Sequence, residues 1–282
     1  MYKDEFKLRY KTIPFAICRE YYKFRNHTII AHQHKEIELI AFKTGVADFY
    51  IDSTHYEAKA GDVIVIPPYA IHRIKISSNE LVKYDCICFD LELIWDEKIK
   101  KGLVSNTLFV KNLFKAENPY SERIQEWIDA SCQAYEDGNQ GWELKIIGYM
   151  SLLIGCLKEQ GFFTSDINGK DEMKFAQKVM SYILNNYSSH ITSNDAAQNL
   201  YMSTSYFCRV FKKAFGCSFS EYLLAYRLEK AKMLLCNTND SVIEISLKTG
   251  FNSCSYFSKM YKSYFGVSPL TYRREQSSLN GK

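Results

Sequence analysis

Residues 203–222 return 50 positions later as residues 253–272. STSYFCRVFKKAFGCSFSEY and SCSYFSKMYKSYFGVSPLTY are identical at nine of 20 places, among them Ser203, Tyr206, Phe207, Lys212, Phe215 and Gly216. Self-similarity at a fixed offset means that one small supersecondary unit is built twice. The C-terminal third is thereby confined to folds that hold two copies of the same unit.

Each copy reads as a short helix, a tight turn and a second helix. The first helices are expected over Ser193–Leu200 and Val242–Thr249. The turns are Tyr201-Met202-Ser203 and Gly250-Phe251-Asn252-Ser253, where Gly can supply a positive φ. In the second helix of copy one, Phe207, Val210, Phe211 and Ala214 share the inward face, while Ser205, Cys208, Arg209 and Lys212 share another. The corresponding sets in copy two are Phe257, Met260, Tyr261 and Tyr264 inside, and Ser255, Ser258, Lys259 and Lys262 outside. Both outer faces are short, polar and basic, which suits a helix entering the major groove: small side chains for approach, donors for base edges, cations for phosphates. A basic helix face is ordinarily just solvated; finding two, on a repeated unit, shifts the balance towards nucleic acid.

Charge follows the same division. From Asp171 onward there are 14 Lys/Arg against 8 Asp/Glu, leaving 22 against 24 for the remainder of a chain whose net charge is +4. A basic third on a slightly acidic body fits a polyanion-binding module joined to another domain. Between the copies, Ser218-Phe219-Ser220-Glu221 and Ser241-Val242-Ile243-Glu244 fit the capping box and place helix starts near 219 and 242. A helix over 219–235, with Tyr222, Leu223, Tyr226, Leu234 and Leu235 as apolar anchors, would be a rod of about 25 Å. Such a rod can hold two recognition helices near the roughly 34 Å separation of successive major-groove segments.

With these motifs in view, residues 173–274 resemble the DNA-binding domain of the AraC family of bacterial regulators. The most specific stretch is Ile245-Ser246-Leu247-Lys248-Thr249-Gly250-Phe251, then Ser255-Tyr256-Phe257-Ser258-Lys259 and Phe265-Gly266-Val267-Ser268-Pro269-Leu270-Thr271-Tyr272-Arg273. The family usually has Ala where Ser246 stands, and Arg more often than Lys at 259; Lys keeps the charge but loses bidentate guanine recognition. The resemblance implies that Ser205, Cys208, Arg209, Cys254, Ser255 and Lys259 reach base edges. With the helix starts and the remaining outer positions, the DNA-contact set is Ser203, Thr204, Ser205, Cys208, Arg209, Lys212, Ser253, Cys254, Ser255, Ser258, Lys259 and Lys262.

The front of the chain has another period. From about Phe6 to Leu93, short runs of Ile, Val, Tyr and Phe broken at Lys43-Thr44-Gly45 and Ala60-Gly61-Asp62 read as strands of a sandwich or barrel. Ile124, Trp127 and Ile128, then Ile146, Ile147, Met150, Leu153, Ile154 and Leu157, follow helical spacing on either side of Gly138-Asn139-Gln140-Gly141. Two such helices can complete the first core or form a dimer seam, and the pattern does not choose. Thr164 to Asp171 is polar and reads as a linker. The expected division is therefore a barrel over 1–100, a helical dimerisation region over 101–162, a linker over 163–172 and the tandem helix-turn-helix domain over 173–282. The fold class is multidomain: an all-β barrel, a helical hairpin, then an all-α domain. Nine cysteines lack CxxC spacing, the N-terminus MYKDEFKLRYK is charged, and no apolar run approaches the ~20 residues of a membrane span, so a cytoplasmic protein is expected.

One constellation in the strand region carries chemistry. His32, His34 and Glu38 lie at even spacing, so on a strand they share a face, and His72 can join them from a later strand. Three imidazoles and a carboxylate suit a divalent transition metal. Cys86 and Cys88 also share one strand face. The segment resembles the two motifs of the cupin barrel, HxHxxxE with a Gly seven residues on (Gly45), and GxxxxxP from Gly61 to Pro67 with His72 five later. It departs from them at Asn26, Tyr69 and Ile76, which stand where the motifs have Gly, Gly and Asn. Metal binding, direct contact with a polar ligand and a purely structural role all remain open for the four residues.

Together these features lead to a sequence-specific regulator of transcription, with double-stranded DNA and a small-molecule effector as partners and homodimerisation expected. Family resemblance adds RNA polymerase as a further partner and a carbohydrate as one effector class. The chain is expected not to be an enzyme. The rivals are a metal-dependent cupin enzyme fused to a DNA module, and a regulator that needs no effector.

Overall fold

The computed structural model describes residues 15–23, 28–52, 54–76, 81–105, 107–165 and 170–280. The expected strand start at Phe6, the motif departure at Asn26 and the middle of the expected linker (166–169) lie outside the described residues. The chain divides into two compact units, Met1–Met173 and Lys174–Lys282: a β-sheet unit followed by a helical one.

In the first unit, β1 (Phe15–Lys23), β8 (Val82–Phe89), β3 (Ile37–Thr44), β6 (Val63–Ile66) and β10 (Leu113–Phe114) form a five-stranded sheet in that order. A four-stranded sheet follows the order β2 (Thr28–His32), β7 (His72–Lys75), β4 (Val46–Ile51), β5 (Thr54–Lys59), and every pairing is antiparallel. Strand alternation sorts the side chains of the larger sheet into two cores. Ile40, Phe42, Ile64, Ile66, Tyr84, Cys86 and Cys88 point towards the second sheet and meet Phe49, Ile51 and Ile74. Leu39, Ala41, Val63, Val65, Ile87 and Phe89 point the other way, into a core shared with helices. A strand buried on both faces cannot alternate apolar with polar. That is why Val63-Ile64-Val65-Ile66 is a continuous apolar run, each side chain contributing about 1.5–3 kcal/mol of burial.

The helices on that outer core are α1 (Glu97–Val104), α2 (Pro119–Asp137) and α3 (Trp142–Glu159). Asn118 caps α2, with Pro119 at its first position; Gly138 and Gly141, both left-handed, turn the chain into α3. Ile124, Ile128, Cys132, Ile146 and Leu153 are fully buried against the five-stranded sheet, so the hairpin completes the first core. The expectation of a separate helical region over 101–162 is corrected accordingly. β10 extends the sheet within it, and β9 (Phe109–Val110) pairs with β11 (Phe163–Thr164). That pairing, and a helix beginning at Lys170, also make the linker shorter at both ends than the expected 163–172.

The second unit comprises α4 (Lys170–Asn186), α5 (Ser193–Asn199), α6 (Thr204–Phe215), α7 (Phe219–Asn237), α8 (Val242–Lys248), α9 (Cys254–Phe265) and α10 (Pro269–Asn280). The capping boxes at Ser218/Glu221 and Ser241/Glu244 form, and a third joins Thr192 to Asp195 ahead of α5. Phe207, Phe211, Phe215, Phe219 and Tyr222 make an aromatic core for the first copy, with Phe211 and Phe215 stacked at 4.2 Å. Phe257 and Tyr261 take the corresponding places in the second, with Leu228, Leu235 and Ile245 around them. Tyr264, expected inside, is 37% exposed, and Phe265 packs there instead, as Phe215 does in the first copy.

Candidate functional site

Two assemblies hold the residues singled out from the sequence. On α6, Ser205, Cys208, Arg209 and Lys212 are exposed; on α9, Ser255, Lys259 and Lys262 are exposed, and Cys254 and Ser258 are half-buried. The faces opposite them carry Phe207 and Phe211, or Phe257 and Tyr261, with no exposed surface at all. Each helix is thus clamped by aromatic burial and presents a polar, cationic outer row. Gly216 and Gly266, left-handed, close the two helices, and Lys212 and Lys262 sit in the last turns, where cations complement the helix dipole.

Three of the named residues make local hydrogen bonds through their side chains. The Ser203 and Ser253 hydroxyls accept from the backbone N–H of Tyr206 and Tyr256, at 3.4 and 3.3 Å, and so act as N-caps. Thr204 Oγ1 donates to Asn194 Oδ1 at 2.9 Å, tying α6 to α5. The first-turn N–H groups that such a cap leaves unbonded are donors that an anion can use. Sequence reasoning passed over Tyr206 and Tyr256, which are 47% and 51% exposed at equivalent places, with the Arg209 guanidinium 5.2 Å from the Tyr206 ring. The signal was available: an aromatic kept in both copies yet absent from the inward stripe.

The second assembly lies in the β-sheet unit. β2 and β7 place His32 and His72 directly opposite one another, with ring centroids 4.1 Å apart. β3 brings Glu38 from the facing sheet, and His34 lies within the β2–β3 connection, so the expectation that His32, His34 and Glu38 share one strand face is corrected: the chain changes sheet between them. One ligand atom from each of the four lies within 4.8 Å of the others. Glu38 and His72 are buried; His32 and His34 are half-buried. Burial opposes the charge on Glu38, but His34 and His72 beside it outweigh this and hold its carboxyl well below the usual carboxylate range. Burial likewise opposes the charge on His34, and the hydrogen bond and charge of Glu38 reverse that, raising its pKa.

Cys86 and Cys88 complete the surroundings. Cys88 is the cross-strand partner of Glu38, and the Cys86 thiol donates to Glu38 Oε1 at 3.1 Å. Burial pushes the Cys86 thiol well up, so it remains a protonated donor. Tyr69, which stands where the resembled motif has Gly, adopts a left-handed φ of 60°, and its backbone N–H donates to His34 O at 2.7 Å. The loop is thus built as a glycine would build it, at the cost of backbone strain. Ile76 is simply core, 1% exposed.

Comparison with known proteins matches both units. The family described as "AraC-like ligand binding domain" matches residues 14–154, and the family described as "Helix-turn-helix domain" matches residues 196–275. The chain is 28% identical over 262 residues to the uncharacterized HTH-type transcriptional regulator YdiP of Escherichia coli K12, covering 86% of this chain and 80% of that one. It is 24% identical over 253 residues to the lactose operon transcription activator of Staphylococcus xylosus, covering 84% and 83%. Among solved structures, unsaturated fatty acid-bound ToxT from Vibrio cholerae aligns over 92% of this chain and 94% of its own, at 15% identity and a TM-score of 0.49.

Proposed function

The chain belongs to the AraC family of transcriptional regulators, and from that premise we propose that α6 and α9 read DNA while the cluster at Glu38 binds the effector that controls them. The observation that carries the DNA half is the repeated cationic row, Ser205/Cys208/Arg209/Lys212 and Ser255/Ser258/Lys259/Lys262, exposed throughout but for half-buried Ser258. Arg209 has the planar fork for a guanine O6/N7 pair; Lys259 offers a point charge, better suited to a phosphate or a single acceptor. Ser203, Thr204, Ser253 and Cys254 present the helix N-termini to the backbone, and Lys212 and Lys262 neutralise phosphates.

In the first unit, the two facing sheets are read as a cupin-like barrel serving as sensor. Control is allosteric if the effector binds the two states of the regulator with different affinity, typically by about 1–3 kcal/mol. Two effector classes have support. The name of the Staphylococcus relative favours a carbohydrate; the four converging ligand atoms favour a metal ion. The protein acts as a homodimer in this reading. α3 supports it: Leu144 and Leu152 are 73% and 55% exposed on an outer face that also carries Gly148 and Gly155, which have nothing beside them within 4 Å. RNA polymerase is the partner through which a bound regulator would act. The reading is of a regulator that turns over no substrate; no described helix is long and apolar enough to cross a membrane.

The test is selection of promoter-derived fragments by the full-length protein across a salt series. Sequence-selective retention with a steep salt slope is expected. Weak retention that ignores sequence would remove α6 and α9 from the role of readers.

A further inference from the structure

The cluster in the β-sheet unit has a donor arrangement that calls for a cation. His34 Nδ1 lies 3.2 Å from Glu36 O, and His72 Nδ1 lies 2.9 Å from Ala70 O. A backbone carbonyl only accepts, so Nδ1 carries the proton in each ring, and in a neutral ring Nε2 is left with its lone pair. Yet both Nε2 atoms sit 3.1 Å from the same oxygen, Glu38 Oε2. The His34 contact is a hydrogen bond only when that ring carries a second proton, because a lone pair facing a carboxylate oxygen is repelled; a metal ion between the atoms satisfies both rings at once. His72 Nε2 in particular is buried, close to Oε2 but not aligned for a hydrogen bond, and has no hydrogen-bond partner.

The spacing is that of a coordination shell. Two bonds of about 2.0–2.2 Å meeting at octahedral to tetrahedral angles hold their donor atoms about 2.8–3.6 Å apart. The observed 3.1 Å falls inside that range for both histidines. His32, facing His72 across β2 and β7, supplies the fourth ligand. The other carboxylate oxygen, Oε1, accepts from the Cys86 thiol, which fixes the carboxylate plane in the way outer partners orient metal ligands.

We propose that His32, His34, Glu38 and His72 hold one divalent transition-metal ion, that Cys86 is a positioning residue for Glu38, and that this ion is the signal the β-sheet unit reads. The inference rests on the reading of that unit as the effector-binding domain. Imidazole and carboxylate together select a first-row ion such as Zn²⁺, Co²⁺, Ni²⁺, Fe²⁺ or Mn²⁺ rather than Mg²⁺ or Ca²⁺. His32 and His72 belong to the four-stranded sheet and Glu38 to the five-stranded one, so a bound ion ties the two sheets together. Its arrival can therefore change how the sheets sit on one another. The half-buried His32 and His34 provide the way in. Phe42, Phe49 and Tyr84 pack between the same two sheets, the Phe42 ring centroid lying 5.5 and 5.7 Å from the other two.

The experiment uses the full-length protein stripped by a chelator, titrated first with Co²⁺ for its visible d–d absorption and then with Zn²⁺ in competition. Binding of the selected DNA fragments is measured with and without Zn²⁺. One Co²⁺ per chain is expected, with bands lost in His72→Ala and Glu38→Gln, and an affinity about 10–100-fold weaker in Cys86→Ala at unchanged stoichiometry. Because replacing buried His72 can unfold the chain, half-exposed His34→Gln is the second variant, with circular dichroism to establish folding. A folded wild-type chain that shows no Co²⁺ bands overturns the metal site. If a panel of sugars then raises its Tm, the effector-domain reading survives; if no sugar does, that reading falls with it. Metal binding that leaves DNA affinity unchanged overturns the signalling role.

Discussion

The two helix-turn-helix copies solve one problem by different means. In each, the short helix must reverse into the recognition helix through a residue with left-handed backbone. The second copy uses Gly250, at φ +83°; the first uses Tyr201, at φ 57°, with its side chain 99% exposed. Backbone bonds close both turns alike, Met202 N to Ala197 O and Phe251 N to Ser246 O, each at 2.9 Å. Counted from those bonds, the offset between copies is 49 through the short helix and becomes 50 in the recognition helix, so the second turn holds one extra residue, Asn252. The surroundings explain the choice. A Cβ at Gly250 would come within 2.7 Å of Tyr187 O and 2.9 Å of Arg227 Nε, where Arg227 donates to the carbonyls of Tyr187 and Ser189. Tyr201 projects into solvent, so the first copy tolerates a side chain and bears only the strain. Equivalent folds thus differ in how much each turn is locked by its neighbours.

The largest effect that can break this comparison is at Gly250. Gly250→Ala combines a left-handed φ with a backbone clash and should cost about 2–4 kcal/mol in a denaturant melt. A loss below about 1 kcal/mol would mean that Arg227 and the end of α4 yield easily, and that the copies are equally locked. Next is the difference between the two cations. Arg209→Ala should weaken specific DNA binding by about 1–3 kcal/mol and relax preference at one base, whereas Lys259→Ala should weaken all sequences alike and reduce the salt slope by about one. Equal relaxation of preference by both would show the two helices reading alike. At the caps, Ser218→Ala and Ser241→Ala each remove a formed capping box and should cost about 1 kcal/mol of stability apiece; a clear inequality in chemical denaturation would locate the weaker copy. Smallest is Tyr201→Gly, which should relieve strain and raise stability by up to about 1 kcal/mol, the extra freedom of Gly in the unfolded chain offsetting part of the gain. An unchanged or lowered Tm would show that the first turn stores no strain worth relieving.

Legibility in the sequence followed the range of the interactions. Helix starts at 219 and 242 could be read because a capping box needs only residues three apart. The outer rows of α6 and α9 could be read because a helical period fixes which residues share a face. Tyr264 went to the wrong side because the period leaves its neighbour Phe265 nearly as well placed, and packing against α7 and α10 decides between them. Tyr206 and Tyr256 escaped because an aromatic is ordinarily assigned to a core. In the cluster at Glu38, the four residues could be named from the sequence but their geometry could not. His32 ends β2, His34 lies in the connection and Glu38 stands on β3 of the other sheet, so the three do not alternate along one strand. The proton donated by Cys86, 48 residues from Glu38, was not legible either.

By itself the sequence determined the doubled helical unit, its caps, its cationic rows, and a strand region carrying three histidines and a glutamate. Those are consequences of local geometry: periods of 3.6 and 2, and hydrogen bonds spanning three residues. Only the tertiary structure decided that the 119–159 hairpin belongs to the first core, that Tyr69 and Tyr201 take the left-handed conformations a glycine would have taken, and that two imidazoles meet on one oxygen of Glu38. Each depends on contacts between residues far apart in the chain, where pairing register and the packing of facing sheets set distances that no local pattern encodes.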